Sequence, residues 1–565
     1  MCGILAILLL KGDLGPGSAP ADGRSVGGWE DGAEWWMRNR GPDGQSEERR
    51  HIGEEGGLLL RASLLQVRGG AKLGGPQLAD GLGNVLCFNG EIYSGLSELG
   101  QGVNDGAALL SELGASPEGG AAGVFSRLRG PWAAIFWEEG TQTLWYGRDV
   151  IGRRSLLRFK GDDRLVLSSV SLSPFDAPEE VRSAWEEVPP GIYSVSLASA
   201  VGSNAVPEPL HHEWVDPIPA ALAQRGKEEP SSGPGPTEGG LDVMASAEHL
   251  LRLLRNSVKL RCSLVDHRYD HSQGVGDLPQ AKVAVLYSGG LDSAILAALA
   301  GEAVEGPIDL INVCFVGGKS PDRLAALEGL RDLSESGREY RLVEVDSTLQ
   351  EVDAMRSRLL QLLQPTETIM DLNIGASLSI AARCKGRLKR FQDGGIVTVS
   401  EDYTSAARVI LCGQGADEQC GGYGRHKTKF QNGGWPALSK EIEHDVNRLW
   451  RRNLGRDDRV ISDQGREARF PFLDEDVALS LHKMAVEVKC DPLKPLGEGD
   501  KQVLRVMAKN FLPGLARASQ RPKRAIQFGT RIAKLANARD FGSNRAANMA
   551  SAGSVVLPEF DAVGR

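Results

Sequence analysis

A chain of 565 residues exceeds one ordinary domain core, so its length indicates two or more domains. The composition, 41% hydrophobic and 25% charged, is typical of a globular protein, and no apolar stretch approaches the roughly 18 residues that span a bilayer. The net charge of −9 argues against a nucleic-acid binder. We therefore expect no nucleic-acid partner and no membrane partner.

The eight cysteines are scattered, and none forms a Cys-x-x-Cys pair, so a zinc site is not expected. Several lie in apolar runs such as VLCF and NVCF, which is the pattern of buried thiols in a reducing compartment. This pattern predicts a cytoplasmic protein.

The chain opens MCGILAILLL, and this apolar run has two interpretations. It could be the core of a secretory signal, or it could be a buried strand directly after Cys2. Nothing basic precedes the run, and Lys11 and Asp13 follow it without an obvious small-residue cleavage site. We favour the buried strand.

The first domain is predicted at 1–200 from short runs rich in β-branched and aromatic residues, separated by Gly, Asn and Asp. This pattern is typical of large antiparallel sheets. The runs are GGLLLRASLLQV, NVLCFNG, PWAAIFWEEG, QTLWYG, RLVLSSV and GIYSVSL. Residues 104–115 predict a short helix with a Gly stop.

Residues 201–240 are rich in Pro and Gly and predict a linker with an exposed, mobile end at 228–240. HHEWVD at 211–216 could still pack locally. His211 and His212 are interpreted as linker residues and not as metal ligands.

The second domain is predicted at 241–565, where the apolar period changes. Residues 247–262 place apolar side chains at helical spacing, which predicts an amphipathic helix. Strand-like and helix-like segments then alternate, which predicts a mostly parallel, doubly wound α/β sheet. The strand candidates are 283–287, 308–316, 340–346 and 408–412, with helices at 294–300 and after 321.

A strand–loop–helix motif, VAVLY followed by SGGLDSA, opens this domain. Gly289 and Gly290 allow a tight turn that presents N–H groups to an anion at a helix start. Ser288 and Ser293 can donate to phosphate oxygens, and Asp292 can hold Mg²⁺. A bare Ser-Gly-Gly would favour an ordinary turn, whereas the full motif resembles the pyrophosphate loop of ATP pyrophosphatases. It is not a Walker A sequence.

A second glycine loop, VILCGQGADEQCGGY, follows the strand candidate at 408–412. It contains Gly413 and Gly415 and carries Asp417 and Glu418. Two such loops at strand ends, each with an acid, suit one nucleotide–Mg²⁺ site with Asp292 and Asp417 as metal ligands.

Together the two loops resemble the synthetase domain of glutamine-dependent asparagine synthetases, and the chain is most similar to a divergent branch of that family. The stretches at 453–460, 467–476 and 499–505 resemble it too. The resemblance implies an N-terminal Ntn-type αββα glutaminase sandwich. It also implies a C-terminal ATP-pyrophosphatase domain of the adenine nucleotide alpha hydrolase type.

The resemblance also gives the opening cysteine a role. Once Met1 is removed, the Cys2 thiolate would attack glutamine, with the α-amine of the chain as the nearby base. NRGPDG at 39–44 and FNGEIYS at 88–94 match glutaminase motifs. By carry-over, Asn89 and Gly90 form the oxyanion hole, and Glu91 and Asp105 bind the glutamine α-amine.

Three positions depart from the family pattern. Ser63 stands where the family has an Arg that holds the glutamine carboxylate, and Arg61 and Arg68 are out of register with it. Gln414 replaces a Glu of the second loop. Residues 370–373 read MDLN where the family has an Arg that could hold the acceptor acid.

Near the C-terminus, residues 521–539 are strongly basic. The resemblance gives Lys523 or Arg524 a place beside the adenylate phosphate, and a solvated basic helix is an equal alternative.

The function implied is ligation at the expense of ATP with Mg²⁺: glutamine supplies ammonia, and aspartate or another small carboxylic acid accepts it. A homodimer is compatible with this interpretation. One alternative is an adenylating ligase for a different acid, as in β-lactam synthetases. A second is a non-catalytic regulatory protein or scaffold that keeps the pockets; the presence of Cys2, Asp292 and Asp417 argues against it.

Overall fold

The structure is a computed structural model. It describes residues 3–10, 27–53, 56–68, 76, 79–100, 102–115, 119–175, 177–198, 205–225, 242–265, 278–366 and 368–541. Cys2, the expected mobile linker end at 228–240 and the chain after 541 lie outside the described residues. No helix within the described ranges is both long and apolar enough to cross a membrane.

The N-terminal half is built on two antiparallel sheets. Its strands are β1 Gly3–Leu9, β2 Gly44–Ile52, β3 Gly56–Leu64, β4 Val85–Gly90, β5 Trp132–Glu138, β6 Thr143–Arg148, β7 Leu157–Lys160, β8 Arg164–Ser168, β9 Trp185–Glu187, β10 Gly191–Ser196 and β11 Leu210–His212. Its helices are α1 Gly27–Arg40, α2 Asp105–Gly114, α3 Gly120–Arg127, α4 Glu179–Ser183 and α5 Pro217–Ala223. One sheet has the order β2-β3-β1-β8-β7-β9 and the other β11-β10-β6-β5-β4.

The opening apolar run forms β1, as predicted, and every residue of β1 is buried. Ile4, Ala6 and Leu8 pack against the second sheet, while Leu5 and Ile7 pack with Trp36 of α1 on the opposite face. A strand buried on both faces needs apolar residues at every position, which is why the run is continuous. The sheets pack face to face, α1 covers one of them, and α2 and α3 cover the other.

All six predicted strands of this half are present as β3, β4, β5, β6, β8 and β10, and the predicted helix is α2, capped by the Asn104 side chain. The sequence patterns missed β2. Its segment GQSEERRHI is polar because β2 is an edge strand with several exposed side chains. Residues 210–223 also form elements: β11 pairs with β10, and α5 packs on the C-terminal half.

The C-terminal half holds one seven-stranded sheet. Its strands are β12 Val283–Leu286, β13 Ile308–Cys314, β14 Tyr340–Asp346, β15 Lys385–Gln392, β16 Gly395–Thr404, β17 Val409–Leu411 and β18 Glu467–Arg469. The order is β16-β15-β14-β13-β12-β17-β18. The five strands from β14 to β18 in this order are parallel; β12, β13, β14 and β17 are the predicted strands, whereas β18 was not predicted. The hairpin β15–β16 was not predicted; it is antiparallel and turns at Asp393 and Gly394, both with positive φ.

Helices surround this sheet. They are α6 Val243–Ser263, α7 Leu291–Ala303, α8 Pro321–Ser334, α9 Leu349–Ala354, α10 Arg356–Leu363, α11 Ile369–Ala382, α12 Ala416–Gln419, α13 Gly424–Asn447, α14 Gly455–Ser462, α15 Glu475–Lys483, α16 Val486–Lys489, α17 Gln502–Phe511, α18 Ile526–Gly529 and α19 Ile532–Phe541. A π-helical turn spans Trp450–Leu454, and short 3₁₀ turns span Pro471–Leu473 and Ala518–Gln520. The amphipathic helix predicted at 247–262 is α6, and the seven described cysteines are free and buried.

Buried ion pairs join the two halves. Asp458 of α14 is fully buried and accepts from Arg40 at 2.9 Å, from Arg154 at 3.2 Å and from the backbone N–H of Ser155 at 3.1 Å. One residue further, Arg459 pairs with Glu187 at 2.6 Å. A charge removed from water is tolerated only when it is paired and hydrogen-bonded, so these contacts hold the halves in one arrangement.

We predict that Asp458→Asn destabilises the protein by about 3–5 kcal/mol, because two buried arginines lose their shared carboxylate. Equilibrium denaturant unfolding of the full chain measures this change. The control is Glu186→Gln, which breaks the exposed pair with Arg158 and should cost about 1 kcal/mol or less. Equal losses in the two variants would contradict the structural role of the buried pair.

Candidate functional site

Two loops open at the same edge of the parallel sheet. Strands β12 and β17 are neighbours, and the chain leaves them through residues 288–290 and 412–415. The carboxyl ends of parallel strands lie at one edge, and crevices form there where the strand order reverses. The structure therefore brings together the two glycine loops that the sequence analysis singled out.

The conformation of each loop requires a glycine. Gly289 has φ +72°, and a Cβ there would lie 2.4 Å from the carbonyl carbon of Ala325. Gly415 has φ +93°, and a Cβ there would lie 2.4 Å from Cδ2 of Leu473. Any side chain at these positions would combine backbone strain with a steric clash.

Asp292 and Asp417, the predicted metal ligands, converge on one lysine. The Nζ atom of Lys501 donates to both carboxylate oxygens of Asp292 at 2.9 and 2.8 Å, and it lies 3.0 Å from Oδ1 of Asp417. Lys523 donates to Oδ2 of Asp417. We call Asp292, Asp417, Lys501 and Lys523 the phosphate cluster.

The electrostatics of the cluster are strongly coupled. Burial raises the pKa of Asp292 above its ordinary value in spite of Lys501. Burial acts in the same direction on Asp417, but Lys501 and Lys523 outweigh it and hold the pKa of Asp417 below its ordinary value. The two aspartates in turn keep the pKa of Lys501 above its ordinary value, against burial. Lys501 therefore offers fixed positive charge between the two loops.

The donor set fits a magnesium ion that is held partly by a nucleotide. Asp292 and Asp417 place carboxylate oxygens around one point, and oxygen is the donor that Mg²⁺ prefers. Within the described ranges, no group of three or more His, Cys, Asp or Glu side chains could hold a metal. A metal here would need phosphate oxygens to complete its coordination.

The loops and the phosphate cluster line a cavity of about 250 Å³. Leu286, Ile311, Val313 and Leu378 supply apolar wall, and Ser288, Ser293 and Gly290 supply polar wall. The Ser293 hydroxyl donates to the Gly290 carbonyl at 3.1 Å, so it also shapes the loop.

Gln414, which replaces a Glu of the family pattern, also faces this cavity. Its Nε2 donates to Oδ2 of Asp457 at 2.7 Å. Arg456 binds Oδ1 of Asp457 at 2.8 Å and Oδ1 of Asp371 at 2.5 Å. Asp371 belongs to the MDLN segment, which forms the first turn of α11. Where the family Arg is missing from the sequence, an arginine from α14 is therefore present in space, already shared by two acids.

The basic segment at 521–539 is not a solvated helix at its start. Arg521 donates to the carbonyl of Gly289 at 2.5 Å, and Lys523 belongs to the phosphate cluster. Arg524 also lines the cavity. The start of the segment therefore differs from the solvated helix that was one of the two interpretations, and the place of Lys523 beside an adenylate phosphate stays a prediction.

In the N-terminal half, Asn89, Gly90 and Glu91 lie at the end of β4. Nδ2 of Asn89 is buried and has no hydrogen-bond partner among the residues that the structure describes. Asp105 accepts from the backbone N–H of Ile92 at 2.9 Å, which ties α2 to this segment. Burial and then the Asp105 charge raise the pKa of Glu91 to about 8.

The arginines predicted near the glutamine carboxylate, and one from the C-terminal half, differ in their surroundings. Arg61 is paired with Glu47 on β2, whereas Arg68 is buried, donates to the Ile92 carbonyl at 2.9 Å and lies 3.7 Å from Glu91. Arg469 of the C-terminal half also reaches Glu91, at 3.3 Å. Ser63 lies opposite Gly3, the residue after Cys2 in the chain. Glu91, the predicted partner of the glutamine amine, is thus paired with two arginines here.

Several site residues were not predicted from the sequence: Lys501, Asp457, Arg456 and Arg469. All lie in the stretches at 453–460, 467–476 and 499–505, which resemble the family but carried no assigned roles. The available signal was RDDR at 456–459, four consecutive charges between apolar residues. Such a run is expected on the surface, yet all four residues are buried.

Comparison with known proteins identifies the family of the chain. Residues 428–552 match the Asparagine synthase family. The chain is 32% identical to asparagine synthetase domain-containing protein 1 of Mus musculus, over 90% of this chain and 95% of that protein. It is 31% identical to the Gallus gallus protein of the same name, over 88% and 93%, and 28% identical to a Drosophila melanogaster asparagine synthetase domain-containing protein, over 91% and 95%. The chain belongs to the family of asparagine synthetase domain-containing proteins.

Proposed function

We propose that the protein is a glutamine-hydrolysing, ATP-dependent amide ligase. The N-terminal half is an Ntn-type glutaminase that releases ammonia at Cys2, and the C-terminal half adenylates a carboxylic acid, with aspartate as the first candidate. The observation that carries this proposal is the phosphate cluster, built from both glycine loops at one sheet edge.

ATP would bind with its phosphates on the phosphate cluster. Lys501 and Lys523 provide charge for the pyrophosphate, and the turn at Gly289 and Gly290 provides N–H groups at the start of α7. The apolar wall at Ile311, Val313 and Leu378 suits the adenine ring. Mg²⁺ held by Asp292 and Asp417 would neutralise negative charge on the phosphates of ATP.

Glutamine hydrolysis needs a donor aimed at the oxyanion of the tetrahedral intermediate. Nδ2 of Asn89 is buried and has no hydrogen-bond partner among the described residues, which suits this role. Glu91 lies beside Arg68 and Arg469, and a substrate ammonium that replaced these arginines would favour its ionised form, against the raised pKa of about 8. Because the ammonium must displace these arginines, we expect glutamine to bind more weakly than it would beside a carboxylate that has no arginine partner.

A second candidate is a ligase for an acid other than aspartate. Arg456 lines the same cavity as Gln414, and Asp371 and Asp457 already share it. An acceptor with an α-carboxylate would have to compete with these two acids. This arrangement favours an acceptor without a second free carboxylate.

The test of the proposed function is pyrophosphate release by the purified full chain with Mg-ATP. Aspartate, β-alanine and aspartate α-amide are compared, each with ammonium. Release with aspartate supports an asparagine synthetase reaction, and release only with the other two supports the second candidate. No release above the ATP-only rate with any acid would contradict the ligase assignment.

Asp292→Asn should weaken Mg-ATP binding by at least about tenfold, because one charged oxygen ligand is lost while the side-chain volume is kept. Calorimetry with a non-hydrolysable ATP analogue, with and without Mg²⁺, measures the affinity. The matched control is Asp402→Asn on the exposed hairpin, which should bind as the native protein does. Equal affinity of all three proteins would remove the nucleotide site from this loop.

Cys2→Ala should abolish glutamate production from glutamine and leave ammonium-dependent pyrophosphate release intact, because only the nucleophile is removed. Intact-mass measurement should show that Met1 is absent from the native protein, since the mechanism needs a free α-amine. Glutamate production that is unchanged in Cys2→Ala would mean that Cys2 is not the nucleophile.

A further inference from the structure

Gln414 stands where the family has a Glu, and this replacement does not predict that another carboxylate, that of Asp457, lies beside it. The sequence lacks the family carboxylate at 414, and the structure places a different carboxylate 2.7 Å from the Gln414 amide, in the wall of the same cavity. We propose that Asp457 is the proton acceptor for amide formation and that Gln414 positions it. This role rests on the proposed function.

Four other acids line the cavity: three are already engaged, and the fourth, Asp322 of α8, lies near the positive charges of Lys523, Arg524 and Arg531. Asp292 and Asp417 bind the lysines of the phosphate cluster. Glu418 accepts from the Tyr423 hydroxyl at 2.6 Å, from Asn453 at 3.0 Å and from the N–H of Gly415 at 3.1 Å. Its carboxylate therefore serves to fix the loop. Asp457 differs because its Oδ2 is held only by the neutral Gln414 amide among the hydrogen bonds of the described residues.

The position of the pair suits the step. Gln414 follows Gly413, and a Cβ on Gly413 would lie 3.2 Å from the Cβ of Asp292, so the pair lies beside the phosphate cluster. An acyl group on the α-phosphate would extend from that cluster into the same cavity. Gln414 is partly exposed there, while Asp457 lies behind it in the wall.

The surroundings of Asp457 make it a usable base. Arg456 of its own helix binds Oδ1, Asp371 of α11 lies on the other side of Arg456, and Gln414 and the thiol of Cys412 face it from the second loop. Burial raises the pKa of Asp457 above its ordinary value, although Arg456 and Gln414 oppose the rise. A carboxylate with a raised pKa is a stronger proton acceptor.

Amide formation makes one bond, breaks one bond and moves one proton. The nitrogen of ammonia forms a bond to the acyl carbon of the adenylate, and one N–H proton passes to Oδ2 of Asp457. The C–O bond to the phosphate then breaks, and AMP leaves with the electron pair. The products are the amide, AMP and a protonated Asp457, which returns its proton to water.

The experiment separates the two half-reactions of the full chain with aspartate. Pyrophosphate–ATP exchange without ammonia reports adenylate formation, and single-turnover asparagine formation under saturating ammonium reports the amide step. Asp457→Asn should keep exchange within a few-fold of the native rate and slow the amide step by about 10²-fold or more.

Two further variants distinguish a base from a structural residue. Asp371→Asn removes the other acid that holds Arg456, and it should slow the amide step by less than tenfold. Gln414→Glu combined with Asp457→Asn moves the carboxylate to position 414 and should recover at least tenfold over Asp457→Asn alone. Positioning of Arg456 alone would predict equal losses in the two single variants and no recovery.

Native-like amide formation by Asp457→Asn, equal losses in Asp457→Asn and Asp371→Asn, or absence of recovery in the double variant would overturn the role of Asp457. If the native protein shows no exchange with aspartate, β-alanine or aspartate α-amide, the proposed function fails and this role fails with it. If only another of these acids supports exchange, that acid replaces aspartate in all variants.

Discussion

One turn of α14 links the two halves of the molecule. Its four consecutive charged residues point to different sides of a helix that is buried all round: Arg456 and Asp457 face the cavity of the parallel sheet, and Asp458 and Arg459 bind side chains of the N-terminal half. Each charge must find a partner because none reaches water. The arrangement of the halves and the shape of the cavity at the parallel sheet therefore depend on the same helical turn.

The phosphate cluster obeys a related constraint. Two aspartates from two glycine loops would repel each other if they were buried without cations, and Lys501 and Lys523 offset that repulsion. In the proposed nucleotide complex, phosphate oxygens would give the lysines new partners, and the aspartates could then share a cation with the nucleotide. A site that is stable without its ligand can in this way use the same groups to bind it.

Charged residues from other elements lie near the positions that depart from the family pattern. Arg456 from α14 stands near the MDLN segment, Asp457 stands beside Gln414, and Arg68 and Arg469 stand beside Glu91. At the MDLN segment and at Gln414, a charge that is missing at one sequence position is present from another element. These charges differ from the expected ones because each is already paired, so a substrate must displace an internal partner.

The sequence by itself determined part of the elements and the two loops. Continuous apolar runs predicted β1 and the parallel strands, helical spacing predicted α6, and glycines before acids predicted the loops at 288–293 and 412–418. These signals are local, since each depends on periodicity or on backbone freedom within a few residues. Edge strands such as β2 and β16 escaped because their polar faces resemble loops. Only the tertiary structure decided the partners of Asp417, Asp457 and Glu91: their lysines, amide and arginines come from distant segments, and a charge pattern does not show which opposite charge will be buried against it.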